Sequence, residues 1–265
     1  MNLVSFEGNK DNTKINGSGP VTSAEPVQPL DIECVEKILN YRFKNKSLLV
    51  QAFTDPSYDE KCVSYERLEF LGDTILSMVI TNEFYNLYPK ESPGSLTNLR
   101  AANVDTEKLA RVAVKHNLHR YLRHKKPLFD DQVLEFVKAV KKDPTLPHSH
   151  GLLTVPKFLA DIVESTIGAL FMDCNSTDTV WKVVKPLLEP IIHLDKLEKH
   201  PMTELNEKCQ KKKLTLTTKD TWEETKNFFF FIEDKMVGHG YHPVKKETAK
   251  YLAAKNAIDT FFGDL

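Results

Sequence analysis

What this chain has little of narrows the reading first. Only four cysteines occur in 265 residues (Cys34, Cys62, Cys174 and Cys209), and no two form a C-x-x-C pair. That pattern argues against a disulfide framework and a zinc knuckle, and it fits a reducing compartment. Cys209 sits beside Lys208 and Lys211, whose charges would favour its thiolate; a quiet helical thiol is the alternative. No run of about 18 apolar residues exists, so no membrane span is expected. The N-terminus lacks the basic and apolar regions of a signal peptide, which sets the expected location inside the cell, in nucleus or cytoplasm, and not in secretion. Neither sign of charge dominates: 36 Lys and Arg stand against 37 Asp and Glu, a formal net charge of −1. A nucleic-acid partner would have to be met by local basic patches. A helicase-like Gly-rich phosphate loop is also missing.

What is present suffices for two modest domains, since 41% of the residues are hydrophobic. Residues 1–29 are rich in Asn, Gly, Ser, Thr and Pro and read as a disordered tail. From Leu30 to about residue 195 the apolar periodicity is helical throughout, which predicts an all-α domain. Asp31 caps a first helix through Leu39, and a second spans Phe43 to Phe53. A long helix runs from Tyr65 to Tyr88 and ends at Pro89 and Pro93-Gly94. Further helices are expected over Leu96 to Asn117, Val133 to Val140, Phe158 to Met172 and Val180 to Leu194. Asp195 to His200 reads as a short linker. Residues 201–265 are mixed, with helices over Met202 to Lys211 and Glu247 to Phe262. Between them lie β-rich stretches at Leu214 to Trp222, Phe228 to Asp234 and Val237 to Tyr241.

The chemistry concentrates in two acidic stretches. In Glu66-Arg67-Leu68-Glu69-Phe70-Leu71-Gly72-Asp73, the carboxylates of Glu66, Glu69 and Asp73 recur at i, i+3 and i+7 and so share a helix face. Like charges one turn apart repel, and each is costly to desolvate. A hard divalent cation relieves both costs, and Mg²⁺ prefers such oxygen ligands. Taken alone, this stretch also reads as a solvated face of an amphipathic helix. A second pair, Asp161 and Glu164, lies at i, i+3 inside the apolar run of Pro156-Lys157-Phe158-Leu159-Ala160-Asp161-Ile162-Val163-Glu164. Two helices with carboxylates at core-like positions could meet and build one metal site.

These two motifs resemble the signature helices of the ribonuclease III family. Ala52-Phe53-Thr54-Asp55-Pro56-Ser57-Tyr58 and Gly94-Ser95-Leu96-Thr97-Asn98-Leu99-Arg100-Ala101 agree with it, and all four stretches occur in family order. The wording of the two acidic motifs is most similar to plant ribonuclease-three-like and Dicer-like proteins, and the resemblance to the family covers residues from about 30 to 193. The resemblance implies an endoribonuclease that hydrolyses double-stranded RNA as a homodimer and leaves short 3′ overhangs. It implies Glu69, Asp73, Asp161 and Glu164 as ligands of Mg²⁺, with Mn²⁺ as a substitute, around a scissile phosphate. Glu66 would act from outside the ligand set or pair with a local cation. Lys157 would neutralise phosphate or pair with the carboxylates. Phe70 would enter a socket on the partner subunit, or else be a core aromatic. Asp55 stands where a histidine is common in the family.

The α-β-β-β-α order of residues 201–265 resembles a double-stranded RNA-binding domain. Its carrying motif ends in His242-Pro243-Val244-Lys245-Lys246-Glu247-Thr248-Ala249-Lys250, a helix start bearing lysines suited to phosphates. Lys245, Lys246 and Lys250 are the expected RNA contacts. The lysine register departs from the family pattern by one position, and the Gly-Pro-x-His loop between the first two strands is absent. With 11 Lys, no Arg and 10 Asp and Glu, this region carries a net charge of only about +1. Weaker RNA binding than in a typical member is expected of it, with protein–protein contact as the alternative.

Overall fold

The computed structural model describes residues 31–142, 148–149, 151–197 and 199–263; the tail expected at 1–29 lies outside them. Helix α1 (Ile32–Leu39) opens on Asp31, whose side chain accepts from the Cys34 N–H at 3.0 Å. Helix α2 (Lys46–Ala52) is capped by Asn45 in the same manner. The long helix α3 (Glu66–Leu87) carries the first acidic motif, and α7 (Lys157–Cys174) carries the second. Residues Phe158 to Val163 and Ser165 to Leu170 of α7 are all buried. A helix apolar on nearly every side belongs at the centre of its domain, and α7 packs against α2, α3, α5 (Thr106–Lys115) and α8 (Thr177–Leu188). One continuous apolar cluster, from Val35 to Ile191, joins these elements.

The contact between α3 and α7 is the most extensive among the described helix pairs. Its closeness rests on two glycines. A Cβ on Gly72 would lie 1.7 Å from the Glu164 carbonyl oxygen, and one on Gly168 would lie 2.1 Å from the Leu68 carbonyl oxygen. The two backbones therefore touch where the acidic residues sit.

Several boundaries differ from the sequence reading. The stretch expected as one helix over Leu96 to Asn117 is two, α4 (Pro93–Asn103) and α5. The Asp105 side chain accepts from the Glu107 N–H at 2.7 Å and starts a new helix there. Pro93 opens α4 at its first turn, behind the Ser92 cap, and does not merely end α3. Helix α6 (Phe129–Lys142) begins four residues before the expected Val133. Its Phe129 ring stacks on Phe158 of α7 at a centroid distance of 3.8 Å.

Beyond α8 the chain changes character. Helix α9 (Pro201–Lys212), strands β1 (Leu216–Thr221), β2 (Asn227–Ile232) and β3 (Lys235–Tyr241), and helix α11 (Lys246–Ala257) follow in order, with a one-turn helix α10 (Trp222–Thr225) between β1 and β2. The sheet is antiparallel in the order β1-β2-β3, pairing Thr217 with Phe231 and Phe229 with His239. Phe228, Phe230 and Ile232 alternate inward to join a second apolar cluster with Leu205, Cys209 and the alanines of α11. Glu233 and Asp234, both at positive φ (47° and 64°), make the β2–β3 turn. The fold class is thus an all-α part followed by a small α+β part, as expected. Among the described residues no helix is long and apolar enough to cross a membrane.

Candidate active site

Three of the expected carboxylates converge. Glu69 from α3 and Asp161 and Glu164 from α7 bring ligand oxygens within 4.8 Å of one another. Lys157, one turn before Asp161, bridges two of them: its Nζ lies 2.7 Å from Glu69 Oε1 and 2.5 Å from Asp161 Oδ1. Of the two roles expected for Lys157, pairing with the carboxylates is the one seen. The ammonium marks a position between the helices that favours positive charge. Burial works against its charge, yet the two carboxylates hold its pKa above the ordinary lysine value.

The electrostatics agree. Burial raises the Glu164 carboxyl to about 7, helped by the charges of Asp73, Asp161 and Glu69. Burial likewise raises Asp161 above the ordinary aspartate value, with Glu69 adding to it, while Lys157 and Tyr65 pull the other way. Burial is thus the first cause of both shifts, and the neighbouring carboxylates add to it. An all-oxygen, hard donor set suits Mg²⁺ or Mn²⁺ better than a soft metal.

The remaining expected residues are placed differently. Asp73 is exposed and lies outside the 4.8 Å group, although its charge is the largest of those raising Glu164. Glu66 is exposed and accepts from Ser64 Oγ at 2.9 Å. Phe70 is 79% exposed, which rules out a core aromatic of this chain. Two residues given no role in the sequence reading border the site. Tyr65, buried at the start of α3, points its hydroxyl at Asp161 Oδ2, 3.5 Å away, and at Asp55 Oδ2, 3.4 Å away. Asp55 is fully buried and contacts Lys126 Nζ at 3.2 Å. A buried tyrosine next to an acidic helix was the available signal, because a buried hydroxyl needs a partner.

In the second part, Lys245 precedes α11, Lys246 begins it and Lys250 follows one turn on. His242 Nδ1 accepts from the backbone N–H of Val244 and Lys245, which shapes this turn. Lys246 forms an ion pair with Asp220 at the end of β1, while Lys245 is exposed. Cys209 does not have the lowered pKa that its lysine neighbours suggested. Its thiol faces the second apolar cluster, and burial pushes it up.

The family of ribonuclease III domains matches residues 66–175. Over 239 residues the chain is 44% identical to Ribonuclease 3-like protein 3 of Oryza sativa subsp. japonica, a match that covers 88% of this chain and 79% of that protein. The chain belongs to the ribonuclease III family. It is accordingly an endoribonuclease. It is also 43% identical, over 239 residues, to Endoribonuclease Dicer homolog 1 of Arabidopsis thaliana, covering 88% of this chain but 12% of that protein. The nuclease domain of ribonuclease III from Campylobacter jejuni is similar at 30% identity and a TM-score of 0.47, over 61% of this chain and 99% of that chain.

Proposed function

We propose that this ribonuclease III-family chain cleaves double-stranded RNA with the aid of Mg²⁺, acts as a homodimer, and leaves duplex ends with short 3′ overhangs. The observation that carries the reading is the convergence of Glu69, Asp161 and Glu164 from two helices around the position bridged by Lys157. Glu69, Asp161 and Glu164 would hold the cation, and Asp73 would complete the set from the next turn of α3. When bound, a divalent cation supplies a water of lowered pKa and neutralises charge on the scissile phosphate. The chain's own contribution is placement and charge. Lys157, with its side chain 70% exposed, can turn from the carboxylates to a phosphate oxygen. Glu66 would orient water or RNA from outside the ligand set.

Residues 30–195 would form the nuclease domain, and 201–265 the duplex-RNA-binding domain. The exposed Phe70 ring on α3 suits burial against a second copy, which would set two sites on one duplex. Lys245, Lys246 and Lys250 would meet phosphates of the duplex. The Lys246–Asp220 ion pair lowers the charge available there, which fits weaker RNA binding than a typical member would have.

The test is cleavage of a long labelled RNA duplex with Mg²⁺, with Mn²⁺ and with EDTA, beside Glu164→Gln. Metal-dependent cutting by the parent and none by the variant supports the reading. Binding without cutting under every condition would replace it with a duplex-binding role. Sedimentation of Phe70→Ala beside the parent reads the dimer.

A further inference from the structure

Tyr65 occupies an unusual junction. Its carbonyl accepts from the Leu68 and Glu69 N–H groups at 2.8 and 2.9 Å, and its own N–H donates to the Thr54 carbonyl at 2.8 Å. The residue is 5% exposed. These bonds fix its backbone at the entry of α3, and its hydroxyl points inward, where it meets two carboxylates. One of them, Asp161, divides its oxygens: Oδ1 faces Lys157 and Oδ2 faces Tyr65. The other, Asp55, is held from several sides. Its Oδ1 accepts from the Ser57 N–H at 2.8 Å, its Oδ2 from Lys126 Nζ at 3.2 Å, and its backbone N–H donates to the Arg123 carbonyl at 2.9 Å.

One phenolic proton thus lies between an anchored acceptor and a proposed metal ligand. Both separations are longer than an ordinary O–H···O hydrogen bond, so the one proton is shared between two acceptors and held tightly by neither. Carboxylate oxygens accept, so the hydroxyl is the donor in both contacts.

We propose that Tyr65 is a positioning residue for the cation site: its hydroxyl, braced by Asp55, holds Asp161 Oδ2 and thereby turns Oδ1 toward Glu69 and Glu164. The inference rests on the cation site proposed above. Groups behind a metal ligand set its orientation, and losing one costs about 10- to 100-fold in metal affinity.

Tyr65→Phe keeps the ring and removes only the hydroxyl. Mn²⁺ binding to the full chain, read by electron paramagnetic resonance, should weaken by about 10-fold or more. The Tm without metal and the affinity for uncut duplex in EDTA should stay as in the parent, and single-turnover cleavage should recover as Mn²⁺ is raised. Unchanged Mn²⁺ affinity overturns the proposal. So does a loss of affinity accompanied by falls in Tm and duplex binding, which would make Tyr65 a packing residue. If the parent binds Mn²⁺ yet cuts no duplex, the nuclease reading fails, while the comparison of the two Mn²⁺ affinities still decides the role of Tyr65. If the parent binds no Mn²⁺, the positioning role falls with the cation site.

Discussion

Replacing Gly72 with alanine tests the link between helix packing and the proposed cation site. The added Cβ would stand 1.7 Å from the Glu164 carbonyl oxygen, 2.6 Å from its carbonyl carbon and 2.9 Å from the Gly168 nitrogen. Every obstacle is backbone, so no side chain can swing aside. Helix α7 would have to retreat by roughly 1.3 Å or more to relieve the worst contact, a displacement large enough to disturb a catalytic geometry. Overpacking of this kind costs about 1–3 kcal/mol, and with a backbone obstacle we take the upper part of that range. Alanine recovers up to about 1 kcal/mol through helix propensity. The net loss of about 1–2 kcal/mol should lower Tm by roughly 2–8 °C for a chain of this size. The functional loss should be larger in proportion. A misplacement of about 1 Å can cost about 10²-fold in rate, and this shift separates Glu164 and Asp161 from Glu69. Thermal melts, Mn²⁺ binding and single-turnover cleavage check the three parts. Gly94→Ala is the control, because its nearest neighbour would be Ser92 Oγ at 3.9 Å. A Gly72→Ala protein with parental Tm, metal affinity and rate would refute the argument.

Three further outcomes follow from the same structure. Because the folded Glu164 carboxyl is raised to about 7 from an ordinary 4.5, the native state binds this proton more tightly than the unfolded chain does. The metal-free protein should therefore lose stability as pH rises across that interval, and Glu164→Gln should flatten the slope; melts in EDTA that show no slope in the parent would contradict it. His148 Nε2 lies 2.9 Å from Asp105 Oδ1, which raises the histidine pKa, while that of Asp105 is lowered. The pair should stabilise fully between the ordinary Asp and His values of 3.8 and 6.5 and fade as pH rises through the raised His148 value or falls through the lowered Asp105 value. Asp105→Asn, which keeps an α5 cap, should reduce this dependence in urea melts run across that range, the remainder coming from Glu107 Oε2 at 3.7 Å from His148. If Lys245 meets a phosphate, Lys245→Ala should weaken duplex binding at all sequences alike and reduce the salt slope by about 0.9. Lys246→Ala should do less, since Asp220 already engages that ammonium; equal slopes for the two would count against the ion pair.

The acidic helices were legible because their information is local. The spacing of Glu66, Glu69 and Asp73, and of Asp161 and Glu164, fixes a helix face without knowledge of the rest of the chain. The break at Asp105 was locally written too, in an Asp just before Leu109, Ala110, Val112 and Ala113, but apolar residues on both sides of it read as one continuous stripe. Cys209 shows the opposite error. Lysines at 208 and 211 are neighbours in sequence, yet Cys209 lies one turn after the buried Leu205 and shares its inward face. A helix face outweighs sequence adjacency when a thiol's environment is judged.

The scaffold of the site was harder to read, because it depends on which distant residues meet. Gly72 and Gly168 each appear as a glycine inside a helix, a cost of about 1 kcal/mol with no local return. Only their meeting explains them: each removes a Cβ that would strike the partner backbone. The same crossing sets Glu69 against Asp161 and Glu164, so the proposed metal site and the close packing are one structural fact. Tyr65 and Asp55 belong to this class as well, since their contact with Asp161 joins segments far apart in sequence. Without a cation, Lys157 supplies the positive charge that lets two of these carboxylates remain side by side. The folded chain therefore brings these carboxylates together without a cation, while burial first and the neighbouring carboxylates second raise Glu164, a cost that a divalent ion in the proposed site would offset.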